Sequence, residues 1–145
     1  MSKEPQSFEN HVRVVPGFHY VAYGLVFAAL VLSVTLLVRD FSLEHVALLL
    51  LSVGAALALV YARLFPLGVQ DRLIRLEERL RLERLLPEDL RPRIEDLTTR
   101  QLIGLRFASD EEVVELTRRV LDDGITDRKA IKAMVKSWRA DYERI

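Results

Sequence analysis

The chain has no cysteine, which removes disulfides, thiol nucleophiles and cysteine-ligated metals, and gives no reading of the redox compartment. It also lacks an excess of either charge. Twenty-one Lys and Arg stand against 21 Asp and Glu, so there is no overall basic field of the kind that draws nucleic acid. Histidine occurs three times, at His11, His19 and His45, and none of these forms a metal-spaced pair. His11 and His19 are eight residues apart with only Glu9 as a further ligand, a weak metal pattern. There is no Gly-rich phosphate loop. Adjacent carboxylates such as Glu77 and Glu78, or Asp122 and Asp123, point to different faces of a helix, a poor arrangement for acid/base work. No catalytic residue, cofactor, metal or small-molecule substrate is therefore expected.

What the chain does have is two long uncharged runs. Phe18 to Val38 is 21 residues without Lys, Arg, Asp or Glu, and His45 to Ala62 is a further 18. At about 1.5 Å per residue, about 20 apolar residues cross a hydrocarbon core roughly 30 Å thick. The second run reaches that length at Phe65 if Arg63 extends its head group back to the lipid surface. The pattern predicts a transmembrane hairpin over residues 18–65, with helices at about 18–38 and 45–65. The first run is too long for a signal-peptide core and has no small-residue cleavage pair, so it is expected to stay in place. A soluble core of this size cannot cover two helices that are apolar on every face.

Orientation follows from the basic residues. The loop from Arg39 to Glu44 has one, whereas Lys3, Arg13, Arg63, Arg72, Arg75 and Arg79 flank the other side. By the positive-inside rule both termini are cytoplasmic and the loop external. Tyr20, Tyr23, Tyr61 and Phe65 fall at one expected interface and Phe41 at the other. His19 and His45 begin the two helices at opposite membrane faces and read as interfacial residues. A turn near Phe41 sets Gly24 opposite Ala58 and Ala28 opposite Gly54, small pairs that would let backbones approach. That seam lies either within the hairpin or between protomers.

The remaining 80 residues hold 17 charges of each sign. Pro66 and Gly68 are expected to break the second membrane helix, with a charged amphipathic helix at 66–86. In it Val69, Leu73, Leu76 and Leu80 recur at spacings of four, three and four, a two-heptad seam. Ile74, Leu82 and Leu85 form a second apolar patch on the far side. A small all-helical cytoplasmic domain at 87–145 should follow. Thr98 with Gln101, and Ser109 with Glu112, have capping-box spacing and predict helices at about 99–107 and 110–122. Gly124 suits a left-handed residue after the second, and Thr126 is a candidate cap for a last helix at 127–143. On that last helix Ile131, Met134, Val135, Trp138 and Tyr142 would fill one sector. Arg128, Lys129, Lys132, Lys136 and Arg139 would fill the next. This basic sector suits the acidic helix with Asp110, Glu111, Glu112 and Glu115, anionic lipid, or a partner.

The stretches SFENHVRVVPGFH, QDRLIRLEERLRLERLLPEDL, LTTRQLIGLRFASDEEV and KAIKAMVKSWRADYERI, around two membrane runs, resemble an uncharacterised family of small bacterial membrane proteins. That resemblance implies a bacterial plasma (inner) membrane location with a cytoplasmic helical region, and no known activity. LTTRQLIGLRF with the two helices after it also looks like a bacterial helix-turn-helix with 127–143 as recognition helix. The acidic turn and the absence of net positive charge argue against nucleic acid as a partner. The expectation is all-α: a membrane hairpin, a long amphipathic helix and a small helical domain. Its role would be a non-enzymatic anchored interaction or scaffold protein whose partners are the bilayer and either its own copies or another membrane protein. The alternative is an accessory subunit or regulator of a transport or envelope complex.

Overall fold

Capping residues decide where the helices begin, and the long apolar runs decide how far two of them extend. The computed structural model describes residues 5–11 and 13–142; Lys3 and the far end of the expected last helix lie outside them. All regular elements among the described residues are helical. A π-helical turn at Gly17–Ala22 leads into α1, Tyr23–Arg39, and α2 runs over Leu43–Leu85. A short 3-10 segment at Arg91–Asp96 has Pro92 in its first turn and is followed by α3 at Thr99–Leu105. Then come α4, Asp110–Asp122, and α5, Arg128–Met134.

The chain divides into two units: residues 13–67, and the N-terminal segment before Arg13 together with residues 68 onward. Gly17–Arg39, and Leu43–Leu85, which begins in the first unit and ends in the second, each carry a stretch long and apolar enough to cross a membrane. The more shielded positions include Ala22 in the π-helical turn, Val26, Leu30 and Ser33 on α1, and Leu49, Ser52, Ala56 and Leu59 on α2. Gly24, Ala28, Gly54 and Ala58 are all exposed, with nothing within 4 Å of a Cβ built on either glycine. The expected seam residues therefore do not coincide with the shielded positions. On each helix the shielded positions lie about two residues, roughly 200°, from the expected small-residue positions.

The expected break at Pro66 and Gly68 is also corrected, because α2 continues through both to Leu85. A proline costs about 3 kcal/mol inside a helix. Ending and restarting would instead require a second nucleation, and the Leu, Ala, Arg and Glu on either side are strong helix formers.

In the second unit the core gathers Leu82, Leu86, Leu90, Ile94, Leu97, Leu102, Leu105, Ala108, Val113, Leu116, Val120 and Ile131. Thr98 and Gln101 form a complete capping box on α3. Ser109 accepts from the Glu112 amide, and Asp127, one residue beyond the expected Thr126, caps α5 by accepting from the Ala130 amide. Gly124 has φ 62° as the turn requires. Gly104 lets α3 and α5 meet: a Cβ there would lie 2.8 Å from the side chain of Ile131.

Candidate interaction surface

The last helix is shorter than its sequence suggests, and this rearranges every residue of the basic sector. α5 ends at Met134, and Val135 turns to an extended conformation with ψ 123°. The segment after it pairs with the residues before α4. The Ser109 amide donates to the Ser137 carbonyl at 3.0 Å and the Arg139 amide to the Phe107 carbonyl at 2.7 Å, with an antiparallel bridge between Ala108 and Trp138. Glu112 holds the bend by accepting from the Lys136 amide at 2.9 Å and the Ser137 amide at 2.8 Å. Its carboxylate is therefore spent on the extended segment. The Ser109 hydroxyl still caps α4 and, with the Glu111 amide, holds the Glu111 carboxyl below the usual carboxylate range.

Arg128, Lys129 and Lys132 thus lie on α5, while Lys136 and Arg139 lie on extended backbone. They do not form one helix face. Lys132 is committed inward, with Nζ 3.1 Å from His11 Nε2 and 4.7 Å from the centre of the Phe107 ring. Arg139 reaches Glu78 at 3.2 Å. Arg128, Lys129 and Lys136 remain exposed.

Two side-chain clusters hold this surface. In the first, Glu78 and Arg81 are buried on α2. The Arg81 guanidinium donates to Glu78 at 3.0 Å, to Asp110 at 2.6 Å and to the Ala108 carbonyl at 2.7 Å. Arg139 supplies the second cation on Glu78. Every charge here has an opposite at hydrogen-bonding distance, which makes a clasp between α2, the start of α4 and the extended segment. A groove of about 760 Å³ runs beside it, lined by Arg81, Arg84, Arg106 and Arg139 and by as many carboxylates. This balance favours neither sign of ligand.

In the second cluster the Phe107 and Trp138 rings stack at 4.4 Å, and His11 meets each at 5.6 Å. His11 Nδ1 is 2.6 Å from the Phe8 carbonyl, so the tautomer that donates there leaves Nε2 to accept from Lys132. The Gln6 carboxamide accepts from the Asp141 amide at 2.8 Å and donates to the Asp141 carbonyl at 3.0 Å. It pairs with that peptide as a neighbouring strand would. His11 is therefore a packing residue of this cluster. Among the described residues no group of three or more acidic or histidine side chains is placed to hold a metal. His19 Nδ1 lies 3.0 Å from the Val15 amide, and His45 Nδ1 lies 2.6 Å from the Asp40 carbonyl, so both sit at helix starts.

The seam of Val69, Leu73, Leu76 and Leu80 stays exposed on α2, whereas Ile74 and Leu82 enter the core. The roles of Gln6, Glu78, Arg81 and Phe107 were not visible in the sequence. Only the charge on an otherwise core-facing position, at Glu78 and Arg81, hinted at a buried pair.

A family model matches the chain over residues 1–145. It belongs to DUF6526, a family of unknown function. No curated protein and no solved structure matches this DUF6526 chain.

Proposed function

We propose that this DUF6526 chain is a non-enzymatic, membrane-anchored interaction protein of a bacterial plasma membrane, with α1 and the apolar part of α2 crossing as a hairpin. One observation carries the reading. Residues 5–11, ahead of the first apolar helix, pack on Phe107, Trp138 and Asp141, beyond the second. Both ends of the apolar unit must then leave the bilayer on the same side, which requires an even number of crossings. The helices themselves expose Leu25, Phe27, Leu32, Leu50, Leu51 and Leu57, surface that lipid covers and water does not. Exposed Tyr20, Tyr61 and Phe65 at one end and Phe41 at the other suit the interfaces. The basic residues around Arg63 and Arg72 support a cytoplasmic helical unit, by the positive-inside rule.

The chain should resist alkaline extraction from membranes. A reporter active only outside the cytoplasm should be active inserted near Phe41 and silent fused after Ile145. Release by alkali would remove the anchor, and the reverse reporter pattern would overturn the orientation.

A second reading has an observation of its own. Gly24, Ala28, Gly54 and Ala58 are exposed and open, so other membrane helices could approach there, as in an accessory subunit of a transport or envelope complex. Co-purification of other membrane chains after mild extraction would favour it. A DNA-binding reading loses its recognition helix, since α5 has seven residues.

A further inference from the structure

Four apolar side chains on α2 stay outside the unit's core: Val69 is 67 % exposed, Leu73 52 %, Leu76 57 % and Leu80 50 %, with Leu73 and Leu80 at the edge of the groove beside the clasp. Ile74, Glu78, Arg81 and Leu82 are the residues of this stretch that turn inward. The four form one stripe of two heptads, with Leu73 and Leu80 at a and Val69 and Leu76 at d. The stripe is bounded, since Pro66 stands one step before it and Glu83 one step after.

We infer that a second copy of the chain docks on this stripe, with the two α2 helices parallel. The flanking charges choose both the partner and its direction. Arg72 and Arg79 occupy g, and Gln70, Glu77 and Arg84 occupy e. In a parallel pair each g residue meets the e residue five positions on in the other helix. Arg72 then meets Glu77 of the second copy, and two-fold symmetry makes the contact twice. An antiparallel pair sets g against g, which places Arg72 beside Arg79, also twice. The like-charge approach of the parallel pair, Arg79 with Arg84, is also made twice, and it is eased because Arg79 is held by Glu95 at 3.1 Å. Two heptads alone are short for a coiled coil. The inference therefore rests on the anchored reading above: one bilayer holds both copies pointing the same way and at raised effective concentration.

The absence of cysteine makes single-cysteine variants of the full chain direct reporters in lipid nanodiscs. Leu76→Cys should cross-link to itself under mild oxidation, and Glu88→Cys, away from the stripe, should not. Arg72→Glu and Glu77→Arg should each reduce the dimer at low salt, and the two together should restore it. Leu73→Asp with Leu76→Asp should leave a monomer with unchanged Trp138 emission, since both positions are outside the core. A monomeric unmutated chain, equal cross-linking at 76 and 88, a dimer that survives the Asp pair, or capture of only a different protein at position 76 would each overturn the docking. Alkaline extraction separates the two readings. A chain that stays in the membrane unpaired defeats only the docking, and a chain that is released defeats the anchor as well.

Discussion

At the scale of single residues, two glycines make opposite predictions. Gly104 stands where α3 and α5 touch, and a Cβ would meet Ile131 at 2.8 Å. Gly104→Ala should destabilise the helical unit by about 1–3 kcal/mol through overpacking. Gly68 lies inside α2 with nothing within 4 Å, so Gly68→Ala should stabilise by about 0.5–1 kcal/mol, the ordinary gain of alanine over glycine in a helix. Denaturant unfolding followed by the emission of Trp138, the one tryptophan, measures both, and equal effects would contradict the close approach. Glu78 and Arg81 give a second test. Arg81→Met leaves Glu78 buried with Arg139 alone, which should cost about 3 kcal/mol. Adding Glu78→Leu should recover part of it, because the buried charge left with a single, half-exposed partner goes too. A third test concerns pH. The Ser109 hydroxyl, and then its own amide, keep the Glu111 carboxyl low. A folded value below the unfolded one means the contribution is complete above the ordinary carboxylate range and is lost as pH falls through the lowered value. Ser109→Ala should move the Glu111 titration, followed by NMR, upward, and should also cost about 1 kcal/mol in lost cap.

At the scale of elements, what was legible in the sequence was what is encoded locally. The caps at Thr98 and Ser109, the left-handed Gly124 and the two apolar runs each rest on residues within one turn or one period of each other. α2 shows where local signals fall short: Pro66 reads as a stop, yet the helix formers on both sides carry the helix through it. α5 shows the reverse failure. The sequence 131–142 keeps a helical apolar period, but the Glu112 carboxylate, 24 residues earlier, takes the Lys136 amide and draws the backbone out of the helix. Trp138 then stacks on Phe107, a pairing that no spacing announces. Gln6 and Asp141 are 135 residues apart, and their match has no period at all. In the hairpin the two apolar runs were legible, whereas the shielded positions, Val26, Leu30 and Ser33 on α1 and Leu49, Ser52, Ala56 and Leu59 on α2, are not the Gly and Ala positions that the sequence suggested. It follows that Glu112→Ala should loosen residues 135–141, shift Trp138 emission to the red and leave α4 capped by Ser109. An unchanged emission maximum would mean that the stacking on Phe107, and not the carboxylate, holds the bend.

At the scale of the whole molecule, the helical unit is discontinuous, because the chain contributes residues 5–11, departs for the apolar unit and returns at Gly68. Phe107 and Trp138 are covered in part by His11, and the Asp141 peptide is completed by Gln6. Cutting away everything before Gly68 removes these contacts without touching any residue of the apolar core itself. A fragment of residues 68–145 should therefore keep its helices, as seen by far-ultraviolet circular dichroism, while Trp138 emits further to the red than in the full chain. A peptide of residues 1–12 added in trans should bind back and reverse the shift. Its binding will be weak, since joining two molecules costs rotational and translational freedom that the intact chain does not lose. Gln6→Ala in the peptide should weaken the return by removing both hydrogen bonds to Asp141, and His11→Ala should do so by removing the edge contact with Phe107. If instead the fragment's emission already equals that of the full chain and the peptide has no effect, the N-terminal segment does not pack there. Only the distribution of basic residues would then support an even number of crossings.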